Sequence, residues 1–300
     1  DSTNYSVCGP EIGIFAIKEF YKKNYKLVDF DRQSITASPH SSGVHLYNKF
    51  LPYYGLDKNE LIKIISSSKN HEDFFKKFST RFSNFRNKKN VKIFFEKTPQ
   101  NIFILDSFLK RSTNGNFIFI TRNPIDNIQS LQRRGYSFKA AAMTWLVFMA
   151  AYKKYKKTDR VFFIKYEDIL DEPYQSVSIL LKDLINVELD SNEIEKNYKN
   201  NLYRELSESR ISSWTKNKGT VNKEKTKNTE LSYKYIDFLL NLKLSKEYAH
   251  VFGLPEISFE EAIDISGYKE EVENNVTRLI NSNNNKKMHK DVIFSFHFSE

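Results

Sequence analysis

The stretch from Val91 to Ile164 constrains the fold more than any other part of this chain. Val91–Phe95, Phe117–Thr121 and Val161–Ile164 are short apolar runs rich in Phe, Ile and Val. Between them lie helix-like patterns: Ile102, Leu105 and Leu109, then Ile125, Ile128 and Leu131 behind Pro124, then a long stretch from Phe138 to about Tyr155. Apolar runs without alternation belong to strands covered on both faces. Strand, helix, strand, helix, strand at this spacing predicts an α/β fold, a parallel sheet flanked by helices. Pro124 suits a first helical position, where its missing N–H would have had no partner in any case.

Sheets of that kind bind ligands beyond the carboxyl ends of their strands. The three most distinctive polar segments, Glu96–Pro99, Thr121–Pro124 and Lys165–Asp168, all fall at such ends. Arg122 closes a buried strand just before a helix, so its guanidinium fork and the helix N–H groups can meet one phosphate. Ser130, further along that helix, can reach the same anion. Read alone, Arg122 serves equally well as a structural ion-pair partner. Lys97, in Phe-Phe-Glu-Lys-Thr-Pro, suits neutralising charge on a transferred group, and a plain surface lysine is the alternative.

The flanks are less distinctive. Ile12 to Lys22 reads as a helix behind the turn at Gly9 and Pro10. A loop around Ser38–Gly43, a short helix over His45–Phe50 and amphipathic helices near Lys58–Ile65 and Glu72–Phe82 follow. After Pro173 the pattern is helical through Leu184 and again from Ser191, with a Lys-rich segment around Trp214 and a further helix from about Leu231 to Leu242. Phe252–Pro255 marks a boundary, which predicts one domain over residues 1–255 and an Asn-rich appendage over residues 256–300.

Charge narrows the ligands. The formal net charge is +10, with no Cys/His zinc pattern and no long Arg-rich arm. A small, multiply charged anion therefore fits better than nucleic acid, and no metal site is expected. A single cysteine, Cys8, leaves no intrachain disulfide. No run of eighteen apolar residues occurs, so no membrane segment is expected in this region. The 25 Phe and 17 Tyr predict a core packed with aromatic rings in place of Leu and Val.

Taken together, Glu96-Lys97-Thr98-Pro99, the run from Phe117 through Arg122-Asn123-Pro124-Ile125-Asp126 to Ser130 and Arg133-Arg134-Gly135, and Lys165-Tyr166-Glu167-Asp168 with Pro173 resemble the core of the PAPS-dependent sulfotransferases (PAPS is 3′-phosphoadenylylsulfate). The pieces stand in that family's order, and the resemblance covers about residues 1–255, best over 91–185. The nearest flavours are the tyrosylprotein, broad Golgi-type and bacterial branches. The resemblance implies a P-loop-type sheet, PAPS as donor, PAP as product and a hydroxyl-bearing acceptor such as a glycan, tyrosine, lipid or small molecule. It implies that Arg122 and Ser130 bind the donor's 3′-phosphate, that Tyr166 lies near the nucleotide and that Lys97 stabilises the sulfuryl group in flight.

Cys8-Gly9-Pro10-Glu11 is similar to the stretch that follows the phosphate loop in this family, and Glu11 matches its catalytic base in the tyrosine branch. As a residue alone, Glu11 also suits the first turn of a helix. The family's opening strand and Pro-x-Ser-Gly-Thr-Thr loop do not precede Asp1, so the resemblance implies an N-terminally truncated domain. Ser38-Pro39-His40-Ser41-Ser42-Gly43 is the other candidate for that loop, and would make His40 or His45 the acid/base group. Compartment follows the branch: Golgi lumen in a eukaryote, cytoplasm in a bacterium. Two rivals remain, a P-loop nucleotide phosphotransferase and a catalytically inactive sulfotransferase-like binding protein.

Overall fold

A computed structural model describes residues 3, 5–9, 12–23, 26, 51–200 and 233–283. The chain divides into two compact units, residues 1–120 with 155–223 and residues 121–154 with 224–300. The strands are β1 (Ser6–Cys8), β2 (Ile93–Phe95), β3 (Phe117–Thr121), β4 (Val161–Lys165), β5 (Lys243–Leu244) and β6 (Ile257–Ser258). They pair as β1 with β2, β3 with β4 and β5 with β6. β1 and β2 run parallel, with Ser6 opposite Ile93 and Cys8 opposite Phe95. The α/β class holds, but the expected continuous sheet is, among the described residues, a set of small two-stranded pieces. Three-residue strands make short ladders, and Phe94 of β2 spends its surface on the rings of Phe15, Tyr54, Phe78 and Phe82. No phosphate-cradling glycine loop is identified among the described residues, and Ser38–Gly43 lies outside them.

Helices α1 (Lys58–Ser67) and α2 (His71–Phe85) arise where the sequence pattern expects them. Asp57 and Glu60 form a reciprocal capping box on α1, and the Asn70 side chain accepts from Asp73 N at 2.9 Å to cap α2. Phe74, Phe78 and Phe82 recur every four residues and form the buried face of α2.

The segment expected as a helix over Ile12–Lys22 is instead two 3-10 turns, Ile14–Ala16 and Lys18–Tyr21. Gly13 sits in the left-handed region at φ 74, and Ile17 is extended at φ −84, ψ 114. These two backbone conformations interrupt a regular α-helix, and Ile12, Ile14, Phe15, Ala16 and Ile17 around them are all in the core.

Phe15 is the centre of the resulting core. Its ring lies 5.5–6.3 Å from those of Phe20, Phe74, Phe75, Phe78 and Phe94, mostly edge-on. Edge-to-face pairs of this kind stabilise beyond their buried area. The aromatic bias of the composition is thus spent in the first unit's interior.

Past β2, the expected single helix through Ile102 and Leu109 is a 3-10 turn over Pro99–Ile104 followed by α3 (Leu105–Arg111). Arg160 then joins two parts of this unit. Its guanidinium donates to the carbonyls of Leu109 at 2.5 Å and Gly115 at 3.2 Å, and also to that of Ser112. A cation at a helix C-terminus satisfies carbonyls that have no partner within the helix. The Arg160 carbonyl accepts from Phe117 N, and Phe119 lies 5.5 Å from Phe163 across β3 and β4.

The second unit opens with α4 (Pro124–Gln132) and α5 (Phe138–Tyr155), whose last residue returns to the first unit. In the first unit β4 runs through Lys165, and α6 (Tyr166–Asp171), α7 (Pro173–Ile185) and α8 (Ser191–Asn200) follow. The second unit is completed by α9 (Tyr233–Leu240), α10 (Lys246–Val251), α11 (Phe259–Ser266) and α12 (Lys269–Asn283). Here Trp145 packs on Phe259, Lys153 pairs with Glu261 at 2.6 Å, and Lys154 donates to the Gly253 carbonyl. Among the described residues no helix is long and apolar enough to cross a membrane.

Two outcomes follow from the first unit's core. Phe15→Ala should cost about 3–5 kcal/mol in chemical denaturation, because five aromatic neighbours lose their common partner. His71 should make stability pH-dependent. Its Nε2–H donates to the Phe20 carbonyl at 2.7 Å, and burial, with Arg111 adding, holds the imidazole below its ordinary value. The unfolded chain therefore takes up this proton first as pH falls. The contribution is whole above about pH 6.5 and declines below it. Melting temperature should fall between pH 7.5 and 5.5, and His71→Gln should flatten that slope.

Candidate functional site

The carboxyl ends of β1 and β2 lie side by side, because the strands are parallel. Glu96 is the first residue beyond β2, and its carboxylate gathers the chain there. Oε1 accepts from Ile12 N at 3.3 Å and from the Thr98 hydroxyl at 2.5 Å, while Oε2 accepts from Asn101 Nδ2 at 2.5 Å. Thr98, itself buried, passes the connection on by accepting from Gly13 N at 3.3 Å. Glu96 and Thr98 alternate with the exposed Lys97. The two residues facing inward fix the turn, and the one between them faces water. Glu96 reaches further still: the Tyr21 phenol is pushed well up, chiefly by burial and also by the Glu96 charge.

Gly9 belongs to the same end of the sheet. A Cβ there would come within 2.4–2.6 Å of the Tyr54 ring, which is fully buried and cannot retreat. Glycine in Cys-Gly-Pro-Glu is thus required by close packing. Glu11 lies outside the described residues. Its neighbours Ile12 and Gly13 are tied to Glu96 and Thr98, on either side of Lys97.

Arg122 stands at the end of β3, half-buried, in the second unit. Its carbonyl accepts from Trp145 Nε1 at 3.0 Å. Asn123 caps α4, with Oδ1 accepting from Ile125 N at 2.9 Å and its own carbonyl accepting from Asn127 N at 2.9 Å. Pro124 has no N–H to give. So much of the helix start is committed internally that an anion here depends on the Arg122 guanidinium more than on the helix end. Ser130 is half-buried in the same helix, six residues past Pro124, or about 9 Å along the axis. Tyr166 is the first residue of α6, half-buried, in the first unit with Lys97.

A cleft of about 160 Å³ lies between α2 and the start of β2, lined by Ser79, Thr80, Asn84, Lys88 and Lys92 among others. Among the described residues, none of the candidate site residues Lys97, Arg122, Ser130 and Tyr166 lines it. Lys88 is committed there, donating to the carbonyls of Thr3 at 2.7 Å and Ser6 at 2.8 Å. Burial, with Arg86 adding, lowers its pKa to about 8.

A family model described as the sulfotransferase family matches residues 24–189, more than half of the chain. The chain belongs to the sulfotransferase family. The matched span of this sulfotransferase-family chain contains Lys97, Arg122, Ser130 and Tyr166, and begins after Glu11. Membership implies a donor of the PAPS class. No curated protein and no solved structure matches the chain.

The sequence marks Glu96 and Thr98 only as part of the Glu96–Pro99 segment, with no role of their own, and does not single out Trp145, Tyr268 or Glu271. Glu96 and Thr98 had a local signal, two polar residues alternating around Lys97 right after a strand. The others act across 23 to 148 residues of chain and had none.

Glu96→Ala should destabilise the first unit by about 2 kcal/mol, as hydrogen bonds to a charged acceptor are lost from Ile12, Thr98 and Asn101. Glu96→Gln, which keeps one acceptor oxygen, should lose less. Denaturant titration of the two variants checks the order.

Proposed function

We propose that this chain moves a sulfuryl group from PAPS to an acceptor hydroxyl. The observation that carries the reading is the strand-end turn Arg122-Asn123-Pro124, within the matched family span. Arg122 follows a β-strand and precedes a capped helix, with its backbone carbonyl held by Trp145. A guanidinium on so fixed a stem suits bidentate binding of a dianionic phosphate. The basic balance of the chain, +10 overall, favours the same class of ligand.

On this reading Arg122 and Ser130 hold the 3′-phosphate of the donor, and Tyr166 packs near its nucleotide. Lys97, exposed beyond β2, neutralises charge on the sulfuryl group as it passes. Glu11 takes the proton from the acceptor hydroxyl. The acceptor oxygen forms its bond to sulfur as the bond from sulfur to the 5′-phosphate oxygen breaks, and PAP leaves with that electron pair. Transfer of this kind relies on in-line positioning and charge stabilisation more than on covalent participation by the protein. The described contacts tie Ile12 and Gly13, the residues that follow Glu11 in the chain, to Glu96 and Thr98 on either side of Lys97, which supports this reading.

Calorimetric titration with PAP tests the donor half. Arg122→Ala should weaken binding about ten- to hundredfold, the loss expected when a charged hydrogen-bonding partner is removed. Unchanged affinity in that variant would remove Arg122 from the donor site. Turnover of PAPS against a panel of sugar, phenol and steroid hydroxyls tests the rest. Glu11→Gln should lower kcat about 10²–10⁴-fold while leaving PAP affinity alone. Binding of PAP without transfer to any acceptor would favour the inactive binding protein.

A further inference from the structure

Three consecutive residues at the end of β3 are each held by a different side chain, and the supports converge from the far end of the sequence. The Thr121 hydroxyl meets the Tyr268 phenol at 3.4 Å, with both groups buried. The Arg122 carbonyl accepts from Trp145 Nε1, and Trp145 is backed by Phe259 of α11 at 5.5 Å. The Asn123 amide donates from Nδ2 to Glu271 Oε2 at 2.8 Å, while its Oδ1 caps α4. Tyr268, Glu271 and Phe259 all come from residues 257–276, well over a hundred positions along the chain, and all of these groups lie in one compact unit.

From this we infer that Tyr268 and Glu271 are positioning residues for Arg122, and that the segment from Phe259 to α12 is a working part of the donor site. The inference rests on the reading that Arg122 binds the donor phosphate. Its physical basis is preorganisation. An arginine binds a phosphate in two-pronged fashion only when its backbone is already aimed, and ordering the stem on binding subtracts from affinity. Asn123 is the key link, because it is fixed at both ends of its amide. Oδ1 sets the start of α4, and Nδ2 anchors that start to α12. Losing the second contact frees the amide to rotate, and the cap on Ile125 N loosens with it. Glu271 is exposed, so its role is to hold this turn and not to fill the core.

The experiment compares Glu271→Ala with Glu271→Gln in the full chain. Gln loses the charge but keeps an oxygen able to accept from Asn123, so a charge effect and a positioning effect part company. Two readouts are taken: calorimetric affinity for PAP, and hydrogen exchange of the amides over residues 121–127. The expected result is a two- to tenfold weaker PAP affinity in Glu271→Ala, the scale of one hydrogen bond. Faster exchange over 121–127 should accompany it, Gln should restore both, and melting temperature should stay near that of the wild type. Wild-type affinity and wild-type exchange in Glu271→Ala would overturn the inference while leaving the donor reading intact. If the wild type binds no PAP, the donor reading fails and takes the functional half of the inference with it. In that case exchange over 121–127 still decides whether Glu271 holds the turn.

Discussion

The Glu96 carboxylate is the constraint on which the first unit's architecture depends. It receives hydrogen bonds from Ile12 N, the Thr98 hydroxyl and the Asn101 amide, and so binds two segments 84 residues apart in sequence. A half-buried carboxylate is costly unless its lone pairs are occupied, and here three donors occupy them. The arrangement ties Ile12, and with it the buried stretch Ile12–Ile17, to the end of β2 without a regular helix. Phe15, three residues past the Ile12 anchor, sits at the centre of the aromatic interior.

Chemistry-bearing residues follow from this scaffold in two separate groups. Lys97 is presented to water because its neighbours on both sides point inward to hold the turn. Arg122 stands on the other unit, where Asn123 and Trp145 fix its backbone. In each case polar side chains beside the candidate residue fix the backbone that carries it. Strand ends are where such an arrangement is natural, since the ladder has finished and the next helix has not yet claimed the backbone.

Much of the fold was legible along the chain. Phe117–Thr121 reads as a strand and forms one, Pro124 opens a helix, and Phe138–Tyr155 is helical over the span its apolar pattern marks. These are long or strongly punctuated segments in which local preference and tertiary demand coincide. Ile12–Lys22 was not legible, because an apolar run that is buried on every side carries no period from which to tell a helix from a buried irregular segment. The α/β class with parallel pairing was legible, while among the described residues the sheet is in small pieces: apolar runs announce burial, but not which neighbour provides it. In β2 that neighbour is largely a set of Phe rings. Of the candidate site, Lys97 and Arg122 could be named from their places after strands, whereas Trp145 and Glu271 could not, since their partners are distant in sequence.

What the sequence determined by itself was the kind of element at each place and the residues left at strand ends, because both are set by local sterics, capping and periodicity. It determined the family as well, since the ordered motifs from Lys97 to Tyr166 lie on a single stretch of chain. Only the tertiary structure decided which distant groups hold those strand ends still. Asn123 meets Glu271 across 148 residues, and Glu96 meets Ile12 across 84. A hydrogen bond over such a span leaves no trace in local pattern, because its energy depends on where two chain segments arrive and not on what lies beside either of them.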